Sequence, residues 1–204
     1  MTLIFRLLAI SLLAVTPGFG ADSDRLADAV SRLRGADCIA IEFLSMTKSY
    51  FFDHIDTVDG DAYLATDSRY RVRLGPDTYL HTGDTLYSYS ALHNQVTVEG
   101  GMSYFGQAEH VNWLRRLDDW YNWRPENSWL FRLTRKESGT PNDLPEEMKV
   151  RVDSLQERIK WLEYEDINDD LNRLIIRRQR LDFPCRDSLL APHFPDSVEI
   201  IRLP

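Results

Sequence analysis

The side chains able to do chemistry are numerous, but their spacing is unhelpful to it. Five histidines occur, His54, His81, His93, His110 and His193. None stands in an HxxxH or HExxH pattern, the spacing that sets two imidazoles on one helical face for zinc. They read as surface or turn residues. The run Asp166-Ile167-Asn168-Asp169-Asp170 begins like a calcium loop. Its sixth position is Leu171, where the tight turn needs glycine, and its twelfth is Arg177, where the ion needs a bidentate glutamate. A solvated hairpin turn fits it better. No GxSxG elbow and no phosphate-cradling glycine loop is present. Cys38 and Cys185 carry no motif of a nucleophile. The carboxylate pairs Asp118-Asp119 and Glu146-Glu147 are adjacent in sequence, and neighbours on a helix do not face each other. They read as solubilising charge. The basic run Arg177-Arg178-Gln179-Arg180 divides between the two faces of a strand. These patterns point away from an enzyme, and they call for no cofactor and no metal.

What remains is apolar surface in quantity. The chain holds 5 tryptophans and 9 tyrosines among 204 residues. Their clearest setting is Gly60 to Val98. There Tyr70, Val72 and Leu74 alternate with Arg69, Arg71 and Arg73, the period of a strand with one greasy and one charged face. Turn signals at Gly75-Pro76-Asp77 and Thr82-Gly83-Asp84 cut the stretch into short antiparallel strands. An ordinary filled core is one outlet for so many rings. A curled sheet with an apolar concavity is the other.

The elements that must position this surface follow in chain order. Residues 1–21 read as a secretory signal peptide: one charge, Arg6, an apolar run from Leu7 to Val15 too short to span a bilayer, and small residues near Gly20 and Ala21. Residues 22–204 read as one domain. Leu26, Ala29, Val30 and Leu33 make the stripe of an amphipathic helix that Gly35 ends. Cys38–Ser45 predicts a first strand and Ser49–Val58 a second, rich in Tyr50, Phe51 and Phe52. Asp59-Gly60-Asp61 fits a turn or bulge. Ser103–Trp120 predicts a helix inserted between strands, able to lie over a face or opening of the sheet. Strands resume at Tyr121–Trp123, Trp129–Thr134, Met148–Asp153, Arg158–Glu165 and around Leu174–Leu181, and Val198–Leu203 supplies the last. The expectation is a mainly β fold (α+β): a half-open antiparallel β-barrel of about ten or eleven strands, with an N-terminal helix and a lid helix.

The net charge of −8 suits neither nucleic acid nor an anionic membrane. Export permits a bond between Cys38 and Cys185, and two buried thiols are the alternative.

Four short segments resemble a known family. They are Gly60-Asp61-Ala62-Tyr63, Tyr70-Arg71-Val72, Gly83-Asp84-Thr85-Leu86-Tyr87-Ser88-Tyr89 and Gln95-Val96-Thr97. With the closing Phe194-Pro195-Asp196-Ser197-Val198, they are similar to the LolA-type periplasmic carriers of outer-membrane lipoproteins. The resemblance spans roughly residues 25 to 200. It implies a periplasmic carrier that holds lipoprotein acyl chains, or another lipid, on a concave apolar face under a helical lid; a monomer is the expectation. It also implies an inner-membrane release complex and an outer-membrane acceptor as partners, or, in relatives of another kind, a sensor or protein-interaction module without lipid cargo. The residues assigned to the concavity are Phe43, Tyr63, Tyr70, Val72, Leu74, Leu86, Tyr87, Tyr89, Trp113, Leu114, Trp129 and Phe131. The family's typical members carry Arg-Pro before the aromatic strand, and that arginine helps latch the lid. Here the matching pair is Thr66-Asp67, with Arg69 close by.

Overall fold

The computed structural model describes residues 24–52, 54–100, 113–137 and 144–203. The expected signal peptide lies outside them, as does most of the expected helix from Ser103 onward. Helix α1 (Asp24–Gly35) opens the described chain. Its stripe Leu26, Ala29, Val30 and Leu33 is buried throughout, as the spacing predicts. Arg32 and Arg34 occupy the last turn, where the helix dipole favours cations.

The strands follow in a long meander: β1 (Cys38–Lys48), β2 (Ile55–Ala65), β3 (Tyr70–Leu74), β4 (Asp77–His81), β5 (Thr85–Ser90) and β6 (Gln95–Gly100). Then come a 3-10 turn (Trp113–Arg115), a short helix α2 (Leu117–Trp120), β7 (Tyr121–Asn127), β8 (Leu130–Arg135), β9 (Glu147–Val152), β10 (Ile159–Glu165), β11 (Leu171–Leu181) and β12 (Glu199–Arg202). All these strands lie in one 12-stranded sheet, ordered β12-β6-β5-β4-β3-β2-β1-β11-β10-β9-β8-β7. The chain lays strands outward from β1 to one edge, restarts at the other edge with β7, and returns until β11 closes against the free side of β1. The edge strands β12 and β7 do not pair with each other, so the sheet is open.

Four expectations change. Twelve strands form rather than ten or eleven, because segments as short as the 5-residue β3 and β4 each hold a complete ladder. The last of them, β12, pairs parallel with β6, so the sheet is antiparallel everywhere except at that edge. Tyr50, Phe51 and Phe52 are not in a strand. β1 runs on to Lys48, which pairs with Ile55, so Tyr50–Phe52 lie in the hairpin connection. There the three rings are 70%, 75% and 72% exposed. Gly60 is likewise no turn. It stands within β2, paired with Phe43 on one side and Leu74 on the other. A Cβ there would lie 2.3 Å from Cζ of Phe43 and 2.8 Å from the Arg73 carbonyl oxygen. Only glycine admits so close an approach.

Candidate functional site: the inner face of the sheet and its helical cover

Residues directly opposite in a ladder point to the same face of the sheet. Phe43 is thus aligned with Gly60 and Ile176, Ala62 with Val72, and Leu64 with Tyr70. On the far wing Leu174 aligns with Leu162, Leu162 with Val150, and Val150 with Phe131. All of these but Gly60 belong to one buried cluster that also takes in the α1 stripe, Leu114 and Leu117. Helix α1 packs against β9 of the far wing and shares this cluster with residues of β1–β3, so it lies over the inner face of the sheet. The inner face is therefore apolar from β8 through β1 to β3, and what closes it is helical: α1, the 3-10 turn and α2.

The expected concavity residues divide between two faces. Phe43, Tyr70, Val72, Leu86, Leu114 and Phe131 meet in the inner cluster, while Leu74 and Trp129 pack at its margin. The Arg25 guanidinium carbon lies 3.9 Å from the centroid of the Trp129 ring. Trp113 stands in the 3-10 turn. Tyr63, Tyr87 and Tyr89 are on the opposite, outer face: Tyr63 aligns with Ala40 and Arg71, Tyr87 with Leu80 and Val98, and Tyr89 with Thr78 and Val96. Leu86 and Tyr87 are neighbours on one strand, so they face opposite ways. The outer tyrosines pack under the C-terminal segment. Tyr87 and Tyr89 lie 6.0 and 5.9 Å from Phe194, and Tyr63 lies 5.7 Å from Phe183. Cys38 and Cys185 are joined in a disulfide that ties this segment to β1, their Cα atoms 5.7 Å apart.

Polar contacts hold the cover in place. Arg115, nearly buried, donates from Nη2 to the Leu64 carbonyl of β2 at 3.0 Å. Its Nε is buried without a hydrogen-bond partner among the described residues. Burial pulls its guanidinium below the ordinary arginine range, and the charge of Asp37 opposes that shift. Arg34, at the end of α1, bonds Asp118 and, at 2.8 Å, Asp119, while its Nε reaches the Arg115 carbonyl at 3.4 Å. Lys136, just past the end of β8, donates to the Asp118 carbonyl at 2.7 Å. Burial by itself would raise the Asp119 carboxyl, but hydrogen bonds from Arg116 and Arg34, with their charges, hold it below its ordinary 3.8. Sequence reasoning missed these tethers. Asp118-Asp119 read as solubilising charge.

Where the carrier family has its Arg-Pro, Thr66 donates from Oγ1 to the Asp37 carbonyl at 2.7 Å. Arg69 pairs with Asp67 at 2.7 Å and with Asp187 at 3.0 Å, so it braces the C-terminal segment and not the cover. Among the described residues no group of three or more His, Cys, Asp and Glu is placed to hold a metal ion.

No protein-family model and no curated protein matches the sequence. Several solved structures are similar in fold. An uncharacterised conserved protein from Thermus thermophilus shares 11% identity at a TM-score of 0.53, over 89% of this chain and 99% of its own. A DUF1329 family protein from Desulfovibrio piger shares 11% identity at a TM-score of 0.49, over 84% and 96%. A LolA superfamily protein from Nitrosomonas europaea shares 10% identity at a TM-score of 0.47, over 84% and 98%. At such identities the likeness is one of fold. The chain has the open, mainly antiparallel sheet that the sequence reading expects.

Proposed function

We propose that this chain is an exported, non-catalytic carrier. In this reading residues 1–21 direct export and are removed, and residues 22–204 act in the periplasm as one domain. The domain receives the acyl chains of a lipoprotein, or another lipid, on the inner face of the sheet and passes them toward the outer membrane. The observation that carries this reading is the manner of closure. Among the described residues, a continuous apolar face is covered by a helix and two short helical turns rather than by a second sheet. Much of what binds the cover polar-side is exposed ion pairs, which contribute only ~0–1 kcal/mol each. A dozen-carbon acyl chain gains on the order of 10 kcal/mol from burial before costs. Part of that replaces contacts the cover already makes, so the net gain is smaller, which suits a carrier that must release its load. The release complex and acceptor that the sequence resemblance implies would supply the contacts that tip the exchange.

A fluorescent fatty acid titrated into the delipidated mature chain tests this. Saturable binding at one chain per protein, displaced by unlabelled fatty acid, is the expected result. A second reading, an interaction module with a permanently filled core, draws on how completely Tyr70 and Val72 are packed, each 2% exposed. It predicts no saturable acyl binding at any concentration below micelle formation.

A further inference from the structure

The outer face of the sheet carries a second concavity, on the far side of the sheet from the acyl-binding reading and independent of it. The C-terminal segment from Phe183 to Val198 crosses the outer side of β3–β5. It is a fixed roof. Its start is held by the Cys38–Cys185 disulfide, and its end by Asn94, whose Nδ2 donates to the Ser197 carbonyl at 3.0 Å. Between these points Leu190 is buried and Phe194 packs on Tyr87 and Tyr89. Between roof and sheet lies a cavity of about 190 Å³. Arg71, Thr78, Leu80 and Tyr89 line it from the sheet, and His193 and Phe194 from the roof.

The charge inside this cavity is uncompensated. Arg69, Arg71 and Arg73 share one parity along the strand. Arg69 is paired with Asp67 and Asp187, and Arg73 with Asp61. Arg71, between them, has no carboxylate partner among the described residues, though it lines the cavity. A guanidinium at the wall of a partly apolar cavity is a good receptor for a carboxylate, which it can bind through two parallel hydrogen bonds. Thr78, Tyr89 and His193 add further polar groups. Leu80 and Phe194 offer apolar walls, and a cavity of ~150 Å³ already accommodates a benzene ring.

We propose that this cavity binds a small organic monoanion: a carboxylate on an apolar body about the size of one aromatic ring, held by Arg71. One free positive charge sets the preference for a single negative one. The same chemistry is presented by a free aromatic or short-chain acid and by the carboxyl terminus of an apolar peptide.

The test is an amide-resolved NMR titration of the mature, disulfide-bonded chain with sodium benzoate. Saturable shifts are expected at Thr78–Leu80, Tyr89, Ala191, His193 and Phe194. Benzyl alcohol, of like size but neutral, should bind at least ~10-fold more weakly, the loss that goes with one charge-assisted hydrogen bond. Arg71→Gln should weaken benzoate by a similar factor with an unchanged melting temperature, and Arg71→Lys should lie between. N-acetylphenylalanine distinguishes the sources: tighter than benzoate assigns a chain terminus, weaker a free acid. Equal binding of benzoate and benzyl alcohol overturns the proposal, as do shifts confined to other regions. Both readings use the wild-type chain, so they decide even if the Arg71 variants fold poorly. Fatty-acid binding on the inner face should be untouched by Arg71→Gln, which separates failure here from failure of the carrier reading.

Discussion

A methyl group at position 60 would meet the Phe43 ring at 2.3 and 2.5 Å and the Arg73 carbonyl at 2.8 Å. The ring can turn, but the carbonyl belongs to the β3 backbone. Gly60→Ala should therefore destabilise by about 1–3 kcal/mol, the usual penalty of overpacking, read as a lower denaturation midpoint. Gly35→Ala is the control. Nothing lies within 4 Å of its would-be Cβ. As the last residue of a helix, it should be neutral or gain up to ~1 kcal/mol. Asp119 gives a second prediction at this scale. A carboxyl held below its unfolded value contributes stability that is complete above that value and lost as pH falls through the folded one. The Asp119 tether thus holds at neutral pH and fails below its ordinary 3.8. Wild type should bind more of an apolar dye as the pH drops through that window. Asp119→Asn should already bind more at pH 7 and change less below about pH 4. An identical dye profile for the two proteins would show that this ion pair does not restrain the cover.

At the scale of elements, much was legible in the sequence. The stripe of α1 reads directly from Leu26, Ala29, Val30 and Leu33, and the β3 alternation from Tyr70, Val72 and Leu74, because each rests on a local period. Period two also separates Leu86 from Tyr87 without any structure. Placing Tyr63 opposite Tyr70 needs the β2–β3 register, in which Tyr70 aligns with Leu64 instead. The tip at Tyr50–Phe52 misleads because aromatic residues favour strands wherever sequence alone is read, while the pairing of Lys48 with Ile55 decides the hairpin. The cover tethers were illegible for another reason. Arg34 and Asp118 lie 84 residues apart, and only the fold brings them together. The same holds for the Cys38–Cys185 bond across 147 residues. By the chain-entropy argument a loop of that length contributes about 2–5 kcal/mol. Replacing both cysteines by serine should lower the denaturation midpoint accordingly. It should also speed amide exchange in the segment from Phe183 to Ser197 more than in β8–β10.

For the whole molecule, the central claim concerns exchange. The inner face is filled by the protein's own helical cover, and an acyl chain would take the place of part of that cover. Arg34→Ala cuts α1 from both Asp118 and Asp119. Because Arg34 is 46% exposed, the effect on global stability should stay within ~1 kcal/mol. The rate of fatty-acid uptake should nonetheless rise, measured by stopped-flow fluorescence. A rate unchanged by this substitution would place the entry route elsewhere than under α1 and α2. Exposed Tyr50, Phe51 and Phe52 are another apolar surface that an acyl probe could reach. A decisive experiment must tell the inner face from this tip.

Photocrosslinking with a diazirine-bearing fatty acid does so most directly. The delipidated mature chain is labelled at limiting probe, digested and mapped by mass spectrometry. Saturable labelling, competed by unlabelled fatty acid, is predicted on inner-face residues such as Val72, Leu86 and Leu174, with more label in Arg34→Ala. Labelling confined to Tyr50–Phe52 or to the outer face, or labelling that does not saturate, would contradict exchange at the inner face.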